Sequence, residues 1–138
     1  QDAAGELTLP LEVQVVSPEH VLYEGEADMV VCRPADGDIA FLPGHVPFLG
    51  ALGIDPVRIL LVGGGEQAFA VHGGFVEMSN DHVVVLSDLA EAKEQIDVPR
   101  AEQAKARAEE ELARDADDAE AQAALQRAEN RIHVATEL

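Results

Sequence analysis

The 138-residue sequence has no tryptophan, one tyrosine, four phenylalanines and a single cysteine. One cysteine excludes an intrachain disulfide. Cys32 lies in the apolar run Met29-Val30-Val31-Cys32, where it reads as a small buried hydrophobe rather than a nucleophile. That usage fits a reducing compartment without establishing one. No apolar run exceeds four residues, as in Ile59-Leu60-Leu61-Val62, against the roughly 20 that a membrane-spanning helix requires, so a soluble chain is expected. Positive charge is also scarce: nine Lys and Arg face 27 Asp and Glu, for a formal net charge of −18. Nucleic acid and anionic membrane surfaces are bound through Lys and Arg, so both are poor partners for this chain.

What is present falls into two parts. Residues 9–90 read as a β domain of many short strands punctuated by Gly, Pro and Asp, the pattern of an antiparallel β-sandwich or barrel. The candidate strands are Leu11–Val16, 20–24, 29–33, 39–42, 57–62, 67–71, 75–79 and 82–87. Turn signals separate them at Ala35-Asp36-Gly37-Asp38, Gly63-Gly64-Gly65, Gly73-Gly74 and Ser79-Asn80-Asp81. Residues 1–8 read as a disordered N-terminal extension.

After Ser87 the composition turns to Ala, Glu, Gln, Lys and Arg, and glycine disappears. Residues 91–138 are expected to form an antiparallel two-helix hairpin. Asp97 can cap the first helix, whose first turn tolerates Pro99 because the lost amide has no intrahelical partner there. Ala101, Ala104, Ala108 and Leu112 recur on one face. Arg114-Asp115-Ala116-Asp117-Asp118 interrupts the pattern and supplies a new cap. In the second helix Ala121, Leu125, Ala128, Ile132 and Ala135 alternate steps of four and three, a coiled-coil-like seam. Only Leu112, Leu125 and Ile132 are large, each contributing roughly 1.5–3 kcal/mol when fully buried. Ordering each residue costs about 1–2 kcal/mol, so the hairpin needs docking, on the β domain or on a partner.

The hairpin also carries most of the cations: residues 1–88 hold fourteen acids and two bases, residues 89–138 thirteen acids and seven bases. Arg127 and Arg131 are spaced i, i+4, where like charges destabilise a helix by roughly 0.2–0.5 kcal/mol. A turn near Ala116 places Arg100 opposite Arg131 and Arg107 opposite Arg127. Seven residues of helix span about 10.5 Å, a length compatible with a polyphosphate, and guanidinium forks suit phosphate oxygens. Neutralisation of the abundant carboxylates nearby accounts for the same arginines, and the residues alone leave both readings open.

Two motifs carry a resemblance to a known family. Gly37-Asp38-Ile39-Ala40-Phe41-Leu42-Pro43-Gly44-His45-Val46-Pro47-Phe48 resembles the signature of the epsilon subunits of F-type, proton-translocating ATP synthases. Ser17-Pro18, Gly25, Gly73-Gly74-Phe75 and the terminal Ala-rich hairpin fall in the family's order. Ile96-Asp97-Val98-Pro99-Arg100-Ala101 is similar to the motif of the ATP-binding bacterial members, with Pro99 at a free position. The resemblance implies a non-catalytic rotor-stalk subunit at the cytoplasmic face of the bacterial plasma membrane. Its implied partners are the central stalk (gamma) subunit, the membrane ring of c subunits and the catalytic alpha and beta subunits. It implies ring or stalk contacts at Asp38, Pro43, Gly44 and His45. It also implies ATP as a regulatory ligand, with no required cofactor, at Glu91, Ile96, Asp97, Arg100, Ala101, Arg107, Arg127 and Arg131, and inhibition of ATP hydrolysis by an ATP-sensitive arm.

Other chemistry is weakly signalled. Gly63-Gly64-Gly65-Glu66-Gln67-Ala68 formally fits a dinucleotide fingerprint, but Gln67-Ala68-Phe69-Ala70-Val71 alternates like a strand where that motif needs a helix. No GxxxxGK[ST] phosphate loop occurs. A metal-dependent β-barrel enzyme would need His20, His72 and His82 to meet, and a free-standing adenine-nucleotide sensor is the other alternative.

Overall fold

A computed structural model describes residues 9–34 and 37–138. The expected extension over 1–8 and part of the Ala35-Asp36 turn signal lie outside the described residues. Among the described residues seven strands come first: β1 (Leu11–Val16), β2 (Val21–Cys32), β3 (Ile39–Phe41), β4 (Phe48–Leu61), β5 (Glu66–Ser79), β6 (His82–Leu86) and β7 (Ala90–Ala92). A short 3-10 turn over Lys93–Gln95 leads to α1 (Val98–Arg114) and α2 (Ala119–Glu137). A β domain followed by a helical hairpin is the architecture expected from the residues.

Five strands close into a ring, because β1 pairs with β2 on one edge and with β6 on the other. The β1–β6 pairing is parallel, and the other ladders are antiparallel. Closure leaves neither β1 nor β6 with a free edge. The interior holds Leu11, Val13, Val15, Val30, Phe41, Ile59, Phe69, Val71, Val76, Met78, Val83 and Val85, all at most 2 % exposed.

The strands are longer and fewer than the punctuation suggested. The candidates 20–24 and 29–33 are one strand, β2, whose register shifts between Ala27 and Met29. One extra residue flips which side chains point inward, so Ala27 is followed into the core by Val30 and Cys32. Likewise 67–71 and 75–79 are one strand, β5, and β4 begins nine residues before its candidate. β4 and β5 keep one register from Phe48↔Met78 to Leu60↔Glu66. Around Gly53 and Gly73 the inward face changes parity, from Leu52 to Val57 on β4 and from Val71 to Val76 on β5. Gly74 makes the bend possible: its φ is +124°, and a Cβ there would meet the Leu86 carbonyl oxygen at 2.1 Å. The neighbouring Ser87 is buried and its hydroxyl donates to the Gly73 carbonyl at 2.7 Å. These glycines bend strands where the residues alone suggest breaks.

Asp97 and Asp118 cap the helices as expected, accepting from the amides of Arg100 at 3.1 Å and Ala121 at 3.0 Å. Ala101, Ala108, Ala121 and Ala128 are buried along the hairpin seam. A second face of α2, missed in the periodicity, docks the hairpin onto the barrel. Val134 is fully buried with Ala68 and Ala70 of β5, and Ile96 and Leu138 pack beside them. Asn130, also buried, donates from Nδ2 to the Val71 carbonyl at 3.3 Å. Ala68 and Ala70 alternate along β5 with Phe69 and Val71, so one strand lines the core with large side chains and offers the helix small ones.

Candidate functional site

Where the hairpin leaves the barrel, a cleft of about 830 Å³ opens between α1, β7 and α2. Six of the eight nucleotide-site candidates line it: Glu91, Asp97, Arg100, Ala101, Arg107 and Arg131. Gln95, Pro99, Gln103 and Ala104 complete it. Gln103 was legible in principle, since it lies three residues after Arg100 and four before Arg107 and so shares their helix face. Ile96 is placed beneath the cleft, packed against Ala68, Ala70 and Val134, where it anchors the chain entering α1. Arg127 is outside the lining, with its Nη2 at 3.0 Å from Glu120. The cleft therefore gathers three of the four arginines.

Their states differ. Arg131 is half-buried and its Nε donates to Glu91, tying α2 to β7. Arg100 and Arg107 are exposed, and among the described residues no carboxylate lies within 4.0 Å of either. Asp97 is engaged as the cap of α1, accepting from the Arg100 amide on its side chain and from the Ala101 amide on its carbonyl, and the N-terminal end of that helix, which carries partial positive charge, borders the cleft. Two unpaired guanidiniums, a third held by a single carboxylate and a helix N-terminus suit a polyanion with several phosphate oxygens. The volume lies within the range of small-molecule sites.

The partner-contact candidates divide between two places. Pro43, Gly44 and His45 form the turn after β3. Gly44 takes a φ of +84°, and its amide donates to Asp81 Oδ1 at 2.7 Å. Asp81 stands in the β5–β6 turn, where Asn80 and Asp81 have φ of 51° and 62°. That latch joins two loops at one end of the barrel. The His45 ring stands edge-on to Phe41 at 5.2 Å, with its Nδ1 at 2.8 Å from the Val46 carbonyl oxygen. Leu42 and Val46 stand exposed beside it, Val46 at 70 %. Asp38 precedes the other end of β3, on the order of 10 Å away along the strand, and is paired with Arg33.

The remaining signals resolve into structure. Gly63, Gly64 and Gly65 all have positive φ in the β4–β5 hairpin turn, with the Leu61 amide donating to the Gly65 carbonyl at 3.0 Å. His20 lies in the turn after β1 and His82 pairs with Glu12 at 3.2 Å. His72 lies on β5 beneath α2, so the three do not converge. Cys32 is buried in the barrel, which pushes its thiol up to about 12, the environment of an inert core residue.

Fold and cleft together define a class: a closed β-barrel with a helical hairpin laid against it and an arginine-lined cleft at the join. Within that class the chain belongs to the ATP synthase delta/epsilon chain family. Residues 10–93 match the family's β-sandwich domain and residues 94–136 its long α-helix domain. It is similar to the ATP synthase epsilon chain of Shouchella clausii, at 43% identity over 91% of this chain and 94% of that protein. The epsilon chain of Solibacter usitatus is 44% identical over 91% of this chain and 95% of its own length. That of Desulforudis audaxviator is 48% identical over 74% of each. Among solved structures the fold resembles a chain of the Euglena gracilis mitochondrial ATP synthase assembly of OSCP, F1 and c-ring. That match has a TM-score of 0.78 and 18% identity, over 94% of this chain and 84% of the other.

Proposed function

We propose that this chain is a non-catalytic rotor-stalk subunit whose barrel joins the central stalk to the membrane ring and whose hairpin is an ATP-sensitive arm restraining ATP hydrolysis. The relatives are named as ATP synthase epsilon chains, and the solved neighbours come from F1 with c-ring and from a central stalk with c-ring. The latched turn of Pro43, Gly44 and His45, with Leu42 and Val46 exposed beside it, is the surface offered to the ring. The face of the assembly on which the chain sits is the cytoplasmic one in this reading.

One observation carries the ATP claim: Arg100, Arg107 and Arg131, from two helices, converge on one cleft although only Arg131 has a carboxylate partner among the described residues. Neutralising nearby acids explains Arg127, which has Glu120, but not Arg100 or Arg107. A triphosphate in the cleft bridges α1 and α2 and contacts β7 beside Glu91. It thereby favours the docked arm over any detached one, and a ligand shifts an equilibrium only through such differential affinity.

The test is calorimetric titration with ATP. Arg100→Ala and Arg131→Ala each weaken binding at least tenfold, about 1.4 kcal/mol, and Lys at either position rescues only part because the bidentate fork is lost. Alanine variants that bind like the parent, or a parent that binds no ATP at millimolar concentration, defeat the site. Reconstitution with the stalk and catalytic subunits tests the rest: ATP hydrolysis should be faster when the arm is removed.

A further inference from the structure

The interface between α2 and the barrel contains a titratable group with no hydrogen-bond partner among the described residues. His72 follows Ala68 and Ala70 on the face of β5 that α2 covers. Both of its ring nitrogens are shut off from solvent, and neither has a hydrogen-bond partner among the described residues. Next to it on β5, the Val71 carbonyl accepts from Asn130 of α2. The residue as a whole is half-buried, but buried ring nitrogens without a partner are costly, and an apolar side chain would fill the place without that cost.

The surrounding charges make a proton unwelcome there. From α2, Arg131 and Arg127 act on the ring, and from β7 Glu91 does. Glu91 is already engaged by Arg131. From β4 the residue opposite His72 is the apolar Ile54, and Asp55 beside it lies 3.9 Å from Arg33. Protonating the docked ring therefore adds a cation beside two guanidiniums, while Glu91 is held by Arg131 and Glu120 by Arg127. Moving α2 away exposes the ring to water and removes both arginines.

We propose that His72 is a proton-operated release for the arm: protonation of its imidazole shifts the hairpin from docked to detached. The inference rests on the reading of the hairpin as a detachable arm, and it makes the proton a second input beside the nucleotide. Burial first, then Arg131, holds the docked ring down at about 4, with Glu91 opposing and Arg127 adding to the shift. The detached ring titrates near the ordinary value of about 6.5. Because the docked state has the depressed value, docking is at full strength above about 6.5 and is lost progressively as pH falls from there toward 4. Each pH unit inside that window favours detachment by about tenfold.

Thiol protection measures this in the full chain. A cysteine at Val134→Cys reacts only when α2 lifts, and one at the exposed Glu137→Cys is the reference that cancels the intrinsic pH dependence of the thiol. Cys32, buried in the barrel with its thiol pushed up, does not compete. Between pH 7.5 and 5.5 the protection of position 134 falls about tenfold, and His72→Gln abolishes that fall. Unchanged protection, or an equal fall in the His72→Gln background, overturns the proposal. If His72→Gln does not dock at pH 7.5, the ring titration of the parent, followed by NMR, decides. A midpoint near 6.5 overturns the proposal, and one about two units lower upholds it. Repeating the measurement with ATP separates the two readings. If ATP leaves protection unchanged at both pH values, the nucleotide claim fails while the proton release stands. A fall that is absent while ATP still raises protection defeats only the proton release.

Discussion

In the barrel sixteen buried side chains, Phe41, Phe69, Ile59 and Met78 among them, form one cluster, whereas the helices bury four alanines, Asn130 and Val134. The barrel closes on itself through β1 and needs nothing else to bury its interior. The hairpin's small seam leaves it dependent on a second surface, which Ala68 and Ala70 of β5 provide. A part that stores its stability internally can serve as a fixed mount, and a part that borrows it can be displaced at modest cost.

The sharpest way to break the comparison is to attack the core. Phe69→Ala should cost about 3–5 kcal/mol, lowering the denaturant midpoint of the β transition with an unchanged slope. If it costs no more than a hairpin substitution, the asymmetry is wrong. Gly74→Ala comes next, since its new Cβ meets a backbone oxygen at positive φ. Strain of roughly 1–3 kcal/mol should appear in the same transition and leave helix content unchanged. Val134→Ala should cost about 1.5 kcal/mol, but in docking, so thiol or protease protection of α2 falls while the β transition stays in place. Asp118→Ala removes the cap of α2 and should lower hairpin stability by about 1 kcal/mol, read as early loss of helical circular dichroism.

The smallest effect on the barrel sharpens the comparison most. A chain ending at Gln95 keeps β7 on β5 and should melt with nearly the parent's cooperative β transition and still bind the stalk subunit. A chain ending at residue 90 strips most of β7 from the edge of β5 and should melt lower. An unfolded chain from the first cut would make the hairpin part of the core.

Much of this was legible residue by residue. Asp97 and Asp118 declare their helices because a carboxylate before a run of helix formers satisfies free amides locally. Arg100, Arg107 and Arg131 could be grouped because a helical hairpin with a known turn fixes which residues face each other. Gly73 and Gly74 were misleading: they read as a turn between two strands, yet β5 runs through them, as β2 runs through Gly25, where a candidate strand stopped short. Local composition does not report whether a glycine breaks a strand or lets it bend around a barrel.

The sequence by itself determined the two-part plan, the caps, the seam of alanines and the scarcity of bulky side chains in the hairpin, since these arise from periodicity and composition within a few turns of chain. Only the tertiary structure decided that β1 closes the ring by pairing parallel with β6, that Gly44 latches to Asp81, that Arg127 falls outside the cleft and that His72 lies beneath α2 with no partner among the described residues. Each of these depends on pairing between segments tens of residues apart. Nothing in the spacing of neighbouring residues records such a pairing, because it is chosen by the burial of the whole core at once.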